Sequence, residues 1–336
     1  MERTTILGTD VQPTRVALGT WAIGGWMWGG SDDKESIRTI REALDSGINT
    51  IDTAPAYGQG HAEKVVGQAL KEYGRRSDVV VATKVCLDWV GTDVFRNGSK
   101  ERIRKEIDDS LARLGTDYID IYQVHWPDPL VPIEETAEAM GALYKEGKIR
   151  AIGVSNFTAR QMEAFRKVAP IHTVQPPYNL FERDVERDVL PYSLGHGIVA
   201  LCYGSLCRGL LSGKMTEDRQ FTGDDLRLAD PKFQAPHFAH YLAAVHDLEK
   251  LAQERYGKSV RALAVRWILD RTKNGIALWG ARHPDQIAAA AEVADFNLDD
   301  QALKDIDNIL DKNIKEPIGT EFMAPPTRKE YEQQHS

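Results

Sequence analysis

The sequence predicts an α/β fold, a closed (β/α)8 TIM barrel with an N-terminal hairpin and extended rim loops, on three observations. Eight short β-branched runs alternate with stretches of helical periodicity along its 336 residues. The runs are mostly apolar rather than alternating, as parallel strands buried on both faces should be. No G-x-G-x-x-G follows the first of them, which counts against an open, doubly wound sheet. A prior of one domain per ~150 residues would give two domains, but α/β barrels run as one unit at this size. Residues 1–336 are therefore expected to form a single domain.

From the N-terminus, residues 1–15 form an arm, and a hairpin is expected over 4–16 with Gly8 near its turn. Strands are expected over 16–20, 49–52, 79–83, 119–124, 151–154, 173–175, 198–202 and 276–279. Amphipathic stretches over 33–46, 62–73, 100–114, 133–146 and 260–270 separate them. In 100–114, Ile103, Ile107, Leu111 and Leu114 recur at steps of three and four, drawing one buried stripe. Ser99 and Thr158 stand where helix N-caps belong, and Gly47, Gly74, Gly115 and Gly147 where helices stop. Residues 212–237, charged and punctuated by proline, exceed a barrel's needs and predict a lid. The tail 316–336 carries Pro317, Pro325 and Pro326 and shows no periodicity.

Composition narrows the function. The net charge is −8 and the pI about 5.7, so no broad basic face is available for nucleic acid. No run of 18 apolar residues exists to cross a membrane. The first residues are too polar for a signal-peptide core, so a cytoplasmic protein is expected. Cys86, Cys202 and Cys207 read as reduced thiols, and no His or Cys spacing completes a metal site.

In such a barrel, reactive side chains stand at the C-terminal ends of the strands. The second exit, N-T-I-D-T-A-P-A-Y-G, offers Asp52 and Tyr57; the third, V-V-V-A-T-K, offers Lys84; the fourth, I-Y-Q-V-H-W-P, offers His125 and Trp126. A tyrosine is a poor acid at neutral pH, but a neighbouring ammonium favours the phenolate. An aspartate beside the lysine would hold it charged, and a histidine would orient a carbonyl oxygen. This set suits protonation of an oxygen that gains charge as hydride reaches its carbon.

The turn after the seventh strand, Tyr203, Gly204, Ser205, Leu206, Cys207, Arg208 and Gly209, reads as an anion site whose glycines permit close backbone approach. Arg208, Lys214 and Arg227 are expected to add charge there. Trp21, Trp89 and Trp126 fall in rim loops and are expected to line an apolar substrate pocket around the polar cluster.

The motifs around Asp52, Tyr57, Lys84 and His125, with G-V-S-N-F and L-C-R-G-L-L-S-G-K, make the chain resemble an aldo-keto reductase over nearly its whole length. The stretches G-K-S-V-R-A-L-A-V-R-W-I-L-D, A-L-W-G-A-R-H-P-D-Q and F-M-A-P-P-T-R are closest to the branch of bacterial general stress proteins of Bacillus type. The resemblance implies that Tyr57 is the general acid, Lys84 and Asp52 tune it, and His125 positions a small carbonyl substrate. It also implies a nicotinamide cofactor, bordered by Thr20 and Trp21, stacked by Tyr203 and bonded at its carboxamide by Ser155, Asn156 and Gln175. Gly280, Ala281, Arg282 and Gln286 would hold an adenosine 2′-phosphate, pointing to NADP(H), although His283 stands where related sequences carry a lysine. The expected function is NADPH-dependent reduction of aldehydes and ketones. The alternatives are a cofactor-binding regulatory protein on the same scaffold and a Schiff-base aldolase using Lys84. Oligomeric state is left open.

Overall fold

The computed structural model describes residues 1–335. Among the described residues there are ten strands: β1 (Val16–Gly19), β2 (Thr50–Asp52), β3 (Val80–Val85), β4 (Leu87–Val90), β5 (Asp93–Arg96), β6 (Ile119–Val124), β7 (Ile149–Ser155), β8 (Thr173–Gln175), β9 (Val199–Cys202) and β10 (Ile276–Gly280). Eight of them, all but β4 and β5, close a parallel barrel in the order β1-β10-β9-β8-β7-β6-β3-β2. Their bounds follow the expected runs within a residue or two, because strands covered on both faces are mostly apolar. Parallel closure places all eight C-terminal ends on one rim.

The barrel interior is filled by small and branched side chains, among them Ala17, Val80, Ala82, Ile121, Ala151 and Val199. The N-terminal arm closes its lower end. Thr4 N–H donates to the Pro13 carbonyl at 3.0 Å and Ile6 N–H to Val11 at 3.1 Å, with Gly8 at φ +79° in the turn. Ile6 and Val11 join the interior cluster.

Outside, helices pack their apolar stripes onto the strands. Lys100–Leu114 buries Ile103, Ile107 and Leu114, is capped by Ser99 accepting from Arg102 N–H, and ends at Gly115 in the left-handed region. Thr158 forms a capping box with Gln161. Val260–Thr272 departs from an amphipathic reading. It is enclosed on nearly all sides, and even Arg266 is buried, bonded to Glu2 and Asp270.

Two features go beyond what the residues led one to expect. The third rim loop carries the antiparallel hairpin β4–β5, turning at Gly91 (φ +61°). The tail is also ordered by contacts rather than by its own periodicity. Arg96 N–H donates to the Pro326 carbonyl, the Arg96 guanidinium to Pro325, and Tyr331 of the helix Arg328–Gln334 stacks on Phe95 at 4.7 Å.

Candidate active site

The strand register brings the candidate residues together. Asp52 ends β2 beside Ala82 of β3, Lys84 of β3 pairs with Gln123 of β6, and Ser155 of β7 pairs with Gln175 of β8. Lys84 Nζ donates to Asp52 Oδ1 at 2.6 Å, to the Thr53 carbonyl at 2.9 Å and to the Tyr57 hydroxyl at 3.1 Å. Asp52 Oδ2 accepts from Gln175 Nε2 at 2.7 Å and Gln123 Nε2 at 3.2 Å. Lys84 is wholly buried, so its three donors are spent on these three partners.

Tyr57 packs between aromatic neighbours. Trp21 stacks on it at 6.0 Å, and the His125 ring meets it edge-on at 5.8 Å. Its backbone is set by a glycine contact: a methyl on Gly24 would stand 2.7 Å from the Tyr57 carbonyl carbon. Only a residue without Cβ allows the first and second rim loops to close this tightly.

Electrostatics assign the resting protonation states. Burial pushes the Tyr57 pKa upward, and the Lys84 ammonium pulls it back only in part. This corrects the expectation of a lowered value; desolvation of the phenolate outweighs the ammonium. Burial works against the Lys84 charge, but Asp52 and the bond to Tyr57 hold its pKa above the ordinary value. Burial, and then Lys84, push His125 well below the ordinary range, so its imidazole is neutral.

Two cavities meet at Tyr57. One, of about 460 Å³, runs from Thr20, Trp21 and Asp52 past Gly204, Ser205 and Leu206 to Gly280, Ala281, Arg282 and Gln286. The other, of about 350 Å³, is lined by Trp21, Trp126, His125, Asn156, Gln175 and the tail residues Phe322 to Pro326, among others. Trp21, Tyr57 and Tyr203 face both. Tyr203 Oη donates to Asn156 Oδ1 at 2.8 Å, and Asn156 Nδ2 donates to the His125 carbonyl at 3.0 Å and to Ser155 Oγ at 3.1 Å.

Several predicted residues sit elsewhere or are already engaged. Trp89 lies outside both cavities, because the β4–β5 hairpin carries it over the guanidinium of Arg102. Cys207 is wholly buried and faces neither cavity. Arg208 borders the groove, yet its guanidinium is paired with Glu182 and Asp230 inside a buried cluster completed by Lys232. Arg227 faces the groove while bonded to Asp225 at 2.8 and 2.6 Å. Arg282 donates to the carbonyls of Trp28 and Gly30 at 2.9 and 2.7 Å, and Gln286 accepts from Arg282 N–H at 2.8 Å. Lys214 lines the groove without an ion pair among the described residues.

Arg219 and Arg261 also line the groove and were missed, because nothing in their local sequence separates them from surface arginines. Gln123 was missed as well; its only signal is an amide within an otherwise apolar strand end. The residues present fit a dinucleotide. Lys214, Arg219, Arg227, Arg261 and Arg282 converge on the groove, and the buried Trp28 Nε1 and Arg261 Nε lack partners among the described residues.

Comparison with known proteins decides the family. The aldo/keto reductase family profile matches residues 15–311. The chain belongs to the aldo/keto reductase family. It is 62% identical over 330 residues to the aldo-keto reductase YhdN of Bacillus subtilis, covering 98% of this chain and 100% of that protein. It is 38% identical to an NADH-specific methylglyoxal reductase of Escherichia coli, covering 87% of this chain and 93% of that one. Among solved structures, a glycerol dehydrogenase from Gluconobacter oxydans aligns with TM-score 0.87 at 54% identity, over 96% of this chain and 99% of that chain. An aldo/keto reductase from Klebsiella pneumoniae in complex with NADP and acetate aligns with TM-score 0.70 at 28% identity, over 98% and 97%.

Proposed function

We propose that this member of the family reduces aldehydes and ketones to alcohols with NADPH, with Tyr57 as the general acid. The observation that carries the reading is the Tyr57 hydroxyl on Lys84 Nζ at the junction of a basic groove and an apolar pocket. When bound, NADPH supplies a hydride to the carbonyl carbon.

The protein's own residues handle the proton. Tyr57 stays protonated at neutral pH and gives its proton to the carbonyl oxygen as charge develops there. The ammonium of Lys84 keeps its own proton and stabilises the phenolate left behind. Asp52, held by three donors, fixes that ammonium in place. His125, neutral and edge-on to Tyr57, is suited to donate to the same oxygen without adding charge.

The groove would hold the cofactor, with Thr20 and Trp21 bordering the nicotinamide, Tyr203 stacking on it, and Ser155, Asn156 and Gln175 bonding its carboxamide. The backbone of Gly204 to Leu206 would meet the pyrophosphate, and Gly280, Ala281, Arg282 and Gln286 the 2′-phosphate. Segment 212–237 is read as a lid, supported by Asp224 accepting from Met27 and Gly29 N–H at 2.8 and 3.3 Å. Its Lys214 and Arg227 lie where they would reach across the pyrophosphate. Trp21, Trp26, Trp126, Leu226, Phe322 and Pro325 favour a carbonyl on an aromatic or aliphatic body. The three buried, unpaired cysteines fit a reducing compartment, supporting a cytoplasmic location.

The test is NADPH consumption, followed by absorbance, with an activated aromatic aldehyde. Turnover that vanishes in Tyr57→Phe supports the proposal. NADPH binding with no turnover on a panel of carbonyls overturns it in favour of a regulatory role.

A further inference from the structure

We propose that Gln123 is a positioning residue that, together with Asp52, holds the Gln175 amide with its oxygen towards the pocket, and so joins the Asp52–Lys84–Tyr57 relay to the carboxamide end of the nicotinamide; this rests on the cofactor reading above. Gln123 is wholly buried in β6, in register with Lys84 on one side and Gly153 on the other. An amide inside the barrel is costly unless its partners are supplied. Both ends find one: Nε2 donates to Asp52 Oδ2 at 3.2 Å, and Oε1 accepts from Gln175 Nε2 at 3.3 Å. Gly153 leaves room for it, since a methyl there would stand 2.6 Å from Gln123 Cγ.

The directions of these bonds follow from the chemistry of the partners. The Asp52 carboxylate, paired with Lys84, can only accept. Both amides must therefore turn nitrogen towards it. Gln175 Nε2 spends one hydrogen on Asp52 Oδ2 at 2.7 Å and the other on Gln123 Oε1. That leaves Gln175 Oε1, which accepts nothing among the described residues although Gln175 is only 2% exposed and lines the pocket. An acceptor left open there calls for an N–H donor, and a carboxamide NH2 is one. Without the Gln123 acceptor, the second N–H of Gln175 is orphaned and only the bond to Asp52 is left to hold the amide in its direction.

The test replaces Gln123 with Met, an apolar side chain of the same length. Binding of NADP+ and of adenosine 2′,5′-bisphosphate, which lacks the nicotinamide, is read by quenching of tryptophan fluorescence, since Trp21, Trp28 and Trp279 line the groove. A thermal melt is run alongside. NADP+ affinity is expected to fall about tenfold, as for the loss of one well-placed buried bond. The bisphosphate is expected to bind as in the wild type. Parallel losses for both nucleotides, or no loss for either, overturn the proposal. Should Gln123→Met not fold, Gln123→Asn, one methylene short of Gln175, takes its place with the same expected split. Neither nucleotide has to react, so a wild type that binds both and reduces no carbonyl would refute the functional reading without deciding this one.

Discussion

Lys84 donates to the Tyr57 hydroxyl at 3.1 Å while it also donates to Asp52 Oδ1 at 2.6 Å, so one ammonium joins a buried phenol to a buried carboxylate. Burial raises the phenol's pKa, and the ammonium is what limits the rise. Lys84→Met removes that brake, and the Tyr57 pKa moves further up. Alcohol oxidation needs the phenolate as base, so its onset with pH is expected to move to higher pH by about 1–3 pH units, the usual effect of one nearby opposite charge. Reduction slows at every pH, because the phenolate it leaves is no longer stabilised. An oxidation profile of the variant that superimposes on the wild type would contradict the role given to Lys84.

Gly24 is expected to matter through Tyr57 alone. A methyl there would meet the Tyr57 backbone at 2.7 and 2.8 Å and its Cβ at 3.0 Å, which forces the second rim loop to shift. Gly24→Ala should lower kcat by about 10²-fold, the cost of a displacement near 1 Å at a reacting group, with little change in NADPH affinity. Equal loss in binding and turnover would mean that the whole rim, rather than the acid, had moved.

Arg282, proposed above for the 2′-phosphate, donates to the carbonyls of Trp28 and Gly30. Arg282→Ala is expected to weaken NADPH by roughly 10–100-fold, as for a lost charge-assisted bond. NADH, which lacks the phosphate, reports any disturbance of the loop by itself and is expected to change little. Equal weakening of the two would remove the phosphate assignment and leave Arg282 as a loop clamp.

The Glu182, Arg208, Asp230 and Lys232 cluster bears on stability. Burial raises the Glu182 pKa, but Arg208 and Lys232 overcome it and the net direction is downward from 4.5. A lowered folded pKa means stability that is present above the unfolded value and lost as pH falls through the folded one. Lys232→Met is expected to cost about 3–5 kcal/mol by leaving buried carboxylates undercompensated. Acid unfolding should also begin at higher pH than in the wild type. Urea melts at pH 7 and across the acid range check both; an unchanged acid limb would mean that Lys232 does not hold Glu182 ionised.

Much of this was legible in the residues. The runs 119–124 and 173–175 coincide with β6 and β8, which are buried from end to end. Asp52, Tyr57, Lys84 and His125 could be read because barrel geometry sends every strand exit to one rim. The pairing of the Arg208 guanidinium could not be read, because its partners Glu182 and Asp230 lie 26 and 22 residues away on other loops. Trp89 was misplaced because the turn at Gly91 was not taken as a hairpin turn between two short strands. The net direction of the Tyr57 pKa depended on how deeply the phenol is enclosed, which no spacing of residues conveys.

The most direct measurement is NADPH oxidation by an aromatic aldehyde in the wild type and in Tyr57→Phe, with NADPH affinity determined for both. Loss of about 10²–10⁴-fold in kcat with unaltered affinity is the result expected when a positioned general acid is removed. A Tyr57→Phe protein that binds NADPH normally and turns over at the wild-type rate would contradict the account.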